Sequence, residues 1–142
     1  MRLRIKVYPG DDPIRDAGQV RLIRRFRERI GDHGSWALEV PIPHPYDQRA
    51  LDAVLTLAEG RIGLEFYTRL TDVQEQLRRA YLKKRDAGLE RMVIVVQQTH
   101  ANRRALRMSE SILAEVFPGS SRHLLAELSA GRVPTADGVI VF

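Results

Sequence analysis

Residues 51–67 are the stretch with the least freedom in this sequence. Leu51, Ala53, Leu55 and Leu57 alternate with Asp52, Val54 and Thr56. Beyond Glu59-Gly60 the alternation resumes, with Ile62, Leu64 and Phe66 against Arg61, Gly63, Glu65 and Tyr67. A period of two marks a strand, and two such runs across a two-residue turn make a β-hairpin. With Glu59-Gly60 as the loop, Ala58 faces Arg61, Val54 faces Glu65 and Asp52 faces Tyr67. Every large apolar side chain then falls on one face except Val54. Asp52, Thr56, Arg61, Glu65 and Tyr67 share the other. Asp52 and Glu65 become diagonal cross-strand neighbours, within reach of a shared ion, and a slip of one residue would part them.

Two carboxylates on neighbouring strands repel unless a cation, a proton or an arginine sits between them. Magnesium accepts one or two protein carboxylates and keeps several waters, so Asp52 and Glu65 are candidate metal ligands. With DNA present, such an ion activates water and stabilises a phosphoryl transition state. The alternative is ion pairing with Arg49, Arg61 or Arg69. Tyr67 could also bond Asp52 across the pair and leave an inert polar cluster.

The flanking elements read as helices and strands in alternation. Asp11-Asp12-Pro13 opens a helix, with Asp12 as cap and Pro13 in the first turn. Leu22, Ile23, Phe26 and Ile30 give it one apolar face, and Gly31 ends it. Ser35–Pro43 alternates as a strand until its prolines stop it. Thr71 and Gln74 have capping-box spacing before a helix that buries Val73, Leu77, Ala80 and Tyr81 and ends at Gly88. Gln76 falls on its surface. Met92–Val96 is a continuous apolar run, as expected of a strand covered on both faces. A helix over 100–117, a short one over 122–130 and a last strand over 139–142 complete the chain. Arg2–Val7 alternates charge with apolar side chains, a strand pattern and not a signal peptide. Helix, three antiparallel strands, helix, buried strand, helix is the order of an α/β sandwich with a mixed sheet. A chain of 142 residues with no internal repeat or linker is expected to form one domain, residues 1–142.

Composition narrows the partners. The net charge is +5, and of the 23 basic side chains only Lys6, Lys83 and Lys84 are lysines. Arginine suits phosphate because its planar fork bonds two oxygens at once, although arginine also accumulates with no selection for such contacts. Arg78, Arg79, Lys83 and Lys84 on one helix, and Arg103-Arg104 near the start of another, are the candidate nucleic-acid contacts, tracking a backbone without reading sequence. His100 in the same turn either meets a phosphate or, with Thr99, caps the helix. Aromatic residues make up 6% of the chain, too few for a single-strand stacking platform. There is no cysteine, no histidine pair spaced for zinc, no glycine-rich phosphate loop and no apolar run of membrane-spanning length. These features imply a cytoplasmic protein with no membrane partner.

The core order and the Asp52, Glu65-Phe66-Tyr67 pattern resemble the restriction-endonuclease-like, or PD-(D/E)XK, superfamily. That resemblance implies Asp52 and Glu65 as ligands of magnesium or manganese. It departs at Tyr67, which stands where the superfamily has a lysine. In some members the lysine moves to the following helix, so by resemblance Lys83 or Lys84 takes the catalytic place if the chain cuts DNA. A wider similarity runs through "DPIRDAGQVRLIRRFRERIG", "EVPIP", "DQRALDAVL", "RIGLEFYTRLTDVQEQLRRAYLKKRDAG" and "HANRRALR". These look like the C-terminal domain of actinobacterial XRE-type transcriptional regulators, where a helix-turn-helix precedes this region. The resemblance implies DNA-linked regulation by a degenerate, non-catalytic nuclease-fold module that binds DNA or a regulatory partner, a helix-turn-helix protein included. A metal-dependent DNA nuclease is the alternative, and a homodimerisation or ligand-sensing domain the third.

Overall fold

The computed structural model describes residues 16–142. The strand expected over 2–7 and the opening Asp12-Pro13 lie outside these. Helix α1 (Ala17–Ile30) is capped by Asp16, whose carboxylate accepts the Gln19 N–H at 2.7 Å. It buries Leu22, Ile23, Phe26 and Ile30, the stripe that its periodicity marks. Strands β1 (Ser35–Pro41), β2 (Ala50–Leu57) and β3 (Gly60–Tyr67) follow as an antiparallel meander. Helix α2 (Val73–Ala87) then crosses to β4 (Arg91–Val96), parallel to β3. Helices α3 (His100–Met108), α4 (Glu110–Val116) and α5 (Ser121–Ser129) lead to β5 (Gly138–Val141), parallel to β4. The sheet order among the described residues is β1-β2-β3-β4-β5, so the architecture is α/β with a mixed, open, five-stranded sheet.

Two apolar clusters sandwich the sheet. On one face Leu22, Phe26 and Ile30 of α1 and Leu124 and Leu128 of α5 pack on Ala53, Leu55, Leu64, Phe66 and Val95. Phe26 is fully buried and meets Phe66 and Phe142 edge-on, at centroid distances of 5.8 and 5.6 Å. On the other face Val73, Leu77 and Ala80 of α2 pack on Leu51, Val54, Met92, Ile94 and Val96, with α3 and α4 partly covering the rest. β4 feeds both clusters in alternation, which explains its unbroken apolar run.

The hairpin differs from expectation by one loop residue. Leu57 pairs with Gly60, so the loop is Ala58-Glu59, and Thr56 rather than Ala58 faces Arg61. Moving the loop by one residue moves the pairing by two, so side-chain faces are kept. Asp52 therefore comes opposite Glu65 instead of Tyr67, just past the last ladder pair, Ala53 with Leu64. A second difference lies at the same level. Leu51 packs on the α2 side, whereas Ala53, Leu55 and Leu57 pack on the α1 side. In β1, Trp36 lies with the α1 cluster and Val40 with the α2 cluster, and Glu39 between them has φ of 51°. Both strands thus change face at the Glu39–Asp52 level, flanked by the pairs Leu38–Ala53 and Val40–Leu51.

Smaller corrections concern helix ends. Asp72, not Thr71, caps α2 and accepts the Glu75 N–H at 3.1 Å. Gln76 is buried, its Oε1 accepting the Thr71 N–H at 3.1 Å, and Tyr81, expected inside, is 49% exposed. Gly88 closes α2 in the left-handed region, with the Leu89 N–H bonded to the Lys84 carbonyl at 3.1 Å. The helix expected over 100–117 is two helices, broken at Ser109. No helix of the described residues is long and apolar enough to cross a membrane.

Candidate functional site

The hairpin opens where Asp52 and Glu65 meet. Each carboxylate takes a main-chain donor from the opposite strand in place of the missing ladder bonds. The Asp52 N–H donates to Glu65 Oε2 at 2.8 Å, and the Phe66 N–H donates to Asp52 Oδ2, also at 2.8 Å. Glu65 is only 3% exposed. Its other oxygen, Oε1, accepts Lys83 Nζ at 2.8 Å, from α2 above. From the opposite side α1 sends Gln19, whose Nε2 donates to the Phe66 carbonyl at 2.9 Å and lies 3.4 Å from Asp52 Oδ2. The structure thus brings Asp52, Glu65 and Lys83 together, as the sequence suggests, and adds Gln19.

Lys84 goes elsewhere. Its Nζ pairs with Asp137 Oδ2 at 2.6 Å, while Asp137 Oδ1 accepts the Met92 N–H at 3.0 Å. Successive helix residues point about 100° apart, so only one of the two lysines can reach Glu65. Tyr67 follows Glu65 on the same face and packs against the α2-side cluster. Its hydroxyl is pushed above the ordinary phenol range by burial first, then by the negative charges of Glu65 and Asp52, with Arg79 opposing. Tyr67 is therefore a neutral group where a cationic lysine would stand in the superfamily pattern.

As arranged, the chain's own donors stand where magnesium or manganese would compete for Glu65. Both oxygens of Glu65 face hydrogen donors, and the Lys83 ammonium already supplies the positive charge that the carboxylate requires. Among the described residues no group of three or more histidines or carboxylates is placed to hold a metal ion.

The candidate nucleic-acid contacts divide into two sets. Arg78 and Arg79 are exposed, but both lie on Glu75, at 2.8 and 3.5 Å. Lys83 and Lys84 are paired as described. Arg103 and Arg104, in the first turns of α3, are exposed and make no ion pair among the described residues. Thr99 caps α3, accepting the Asn102 N–H at 3.1 Å, which settles the cap on Thr99 rather than His100.

Two residues central to this region escape sequence reading. Gln19 stands three and four places before Leu22 and Ile23, so it belongs to the inward stripe of α1, and that spacing was its signal. Asn102 is 2% exposed and fully satisfied. It accepts the Leu70 N–H at 2.9 Å and donates to the carbonyls of Thr68 at 3.0 Å and Gln97 at 2.9 Å. It pins α3 to the ends of β3 and β4, and nothing in its own neighbourhood of sequence announces that.

No protein-family model matches the chain, and comparison with curated proteins and with solved structures gives no match.

Proposed function

We propose that this chain is a restriction-endonuclease-like module that keeps a nuclease core without the cutting step, and that it acts in DNA-linked regulation. The order of a helix, three antiparallel strands, a helix and a parallel strand supports the fold reading. The observation that carries the non-catalytic reading is the engagement of Glu65, held between Lys83 Nζ and the Asp52 N–H at 2.8 Å each. A carboxylate that holds an ion or orients water does so best with an oxygen free of other donors, and here each oxygen of Glu65 already accepts one from the chain. Likeness of the sequence to the C-terminal domain of XRE-type regulators supports the regulatory context.

The test is incubation with plasmid, linear duplex and single-stranded DNA in magnesium and in manganese, beside Glu65→Gln. The expected result is no cleavage by either protein. Cleavage by the wild type that Glu65→Gln abolishes overturns the reading.

One observation favours the nuclease alternative: Lys83, from the helix after the hairpin, does reach Glu65. In that reading Lys83 withdraws from Glu65 before the carboxylate serves any other partner. Lys83→Met then loses cleavage and Lys84→Met keeps it.

A further inference from the structure

Three elements meet at the end of the sheet where β3, β4 and β5 finish. The start of α1 lies there, since Gln19 bonds the Phe66 carbonyl at 2.9 Å. A point one bond from Gly18 Cα lies 3.4 Å from both Thr68 Cγ2 and Asp16 Oδ1 and 4.0 Å from an Arg21 guanidinium nitrogen, so the Arg21 side chain lies back over Gly18, near the loop after β3. Further along α1, Arg25 sits 5.0 Å over the ring of Phe142, whose N–H bonds the last carbonyl of β4, Val96. The loop after β3 carries exposed Arg69, and the Asn102 side chain grips the main chain on both sides of it, at Thr68 and Leu70. Exposed Arg103 follows Asn102 on α3. None of these four arginines has a carboxylate partner among the described residues. Among the described residues, the acidic groups near this end are the helix caps Asp16 and Asp72, each bonded to a main-chain N–H, and the Asp52–Glu65 pair beside Gln19.

The face of α2 is the opposite case. Every basic side chain from Arg78 to Arg85 there has an acidic partner, namely Glu75, Glu65, Asp137 or Asp86. An ion-paired side chain must give up its carboxylate before it can neutralise a phosphate and release that phosphate's counterion, so it contributes little to a salt-dependent association. Arginines without a carboxylate partner contribute most; Arg21, Arg25, Arg69 and Arg103 are four of these that come together at the sheet end, beside others such as Arg24, Arg104, Arg107 and Arg122. Stacking of single strands needs aromatic platforms, and among the described residues the exposed tyrosines, Tyr46 and Tyr81, stand in the loop after β1 and on α2 instead.

We infer that the end of the sheet, through Arg21, Arg25, Arg69 and Arg103, docks the phosphate backbone of double-stranded DNA, and that the basic face of α2 does not. This rests on the DNA-linked reading above and assigns it a surface. Contacts of this kind position a duplex without reading its bases. Asn102 and Gln19 act as positioning residues, holding the three elements at one level.

The experiment compares Arg69→Gln/Arg103→Gln with Arg78→Gln/Arg79→Gln, which remove equal charge. Each is titrated against a fluorescent mixed-sequence DNA duplex by anisotropy over a series of salt concentrations, with circular dichroism to check folding. For the first variant, binding weakens and the slope of log K against log salt flattens by about 0.9 for each phosphate no longer neutralised. The second keeps the wild-type slope. An unchanged slope in the first variant, or a weakening confined to the second, overturns the surface and leaves the DNA-linked reading standing. A wild type that binds no duplex at low salt overturns both.

Discussion

Glu65 sits at 3% exposure between an ammonium and a main-chain amide. Removing one partner of such a pair leaves the other buried and uncompensated. Glu65→Ala strands Lys83, which is 17% exposed, and the Asp52 N–H together, and a loss of about 3 kcal/mol is expected in urea unfolding. Glu65→Gln/Lys83→Met keeps an acceptor for the amide and removes both charges, so it costs less than half as much. A double variant as unstable as Glu65→Ala would show that the pair is not coupled. Tyr67 gives a second expectation at this scale. Its folded pKa is raised, so its stabilising contribution is complete below the ordinary phenol value near 10 and is lost as pH rises beyond it. Alkaline titration of tyrosinate absorbance therefore shows one late-ionising phenol that Tyr67→Phe removes; a titration unaltered by that substitution contradicts the burial. The parity of Asp52 and Glu65 was readable from alternation alone. Their engagement by Gln19 was not, nor which of Lys83 and Lys84 reaches Glu65, because both depend on how α1 and α2 lie across the sheet.

Among the elements, the segment between β1 and β2 is tied down by one arginine. Arg49 Nη2 lies 2.7 Å from both Asp47 Oδ2 and Asp86 Oδ2, and the Arg49 carbonyl accepts the Ile42 N–H at 3.1 Å. Hydrogen bonds from the Arg49 side chain and N–H bring the Asp47 carboxyl down from 3.8 to about 2. A depressed carboxyl stabilises the fold above its unfolded value, so this tether is intact above pH 3.8 and is lost as pH falls through about 2. Arg49→Ala is expected to speed hydrogen exchange at Ile42 without altering exchange in β4, and equal rates in wild type and variant would refute the tether. Gly34 is a stricter constraint: its φ is 66°, and a Cβ there collides with the Thr56 carbonyl oxygen across the start of β1. Gly34→Ala should lower the urea midpoint sharply, whereas a near-neutral result would mean that the β1–β2 junction relaxes easily. The helix stripes and the strand alternation of these elements could be read in advance. The loop at Ala58-Glu59 could not, since glycine at position 60 suggested a turn one residue later. Nor could the change of face at Glu39 and Asp52, because two apolar layers accept Leu51 equally well on either side.

At the scale of the whole molecule, element order was the legible part: helix, meander, helix and buried strand follow from periodicity and turn residues. Charge was legible only in total. The i, i+3 and i, i+4 spacing of Glu75 with Arg78 and Arg79 was available from the sequence, but Lys84 meets Asp137 from 53 positions away. The consequence is the phosphate-docking surface proposed at the sheet end, and an acidic pair, Asp52 with Glu65, engaged by the chain's own donors. That engagement is the central claim, and cation binding tests it most directly. A site that binds an ion only when folded raises stability by about 2.7 kcal/mol when the ion is at a hundred times its dissociation constant. Thermal unfolding is to be measured in chelator, in magnesium and in manganese, for the wild type and for Glu65→Gln. The account predicts that neither ion raises the midpoint of either protein. A rise in the wild type that Glu65→Gln abolishes would contradict it, and would place a metal between Asp52 and Glu65.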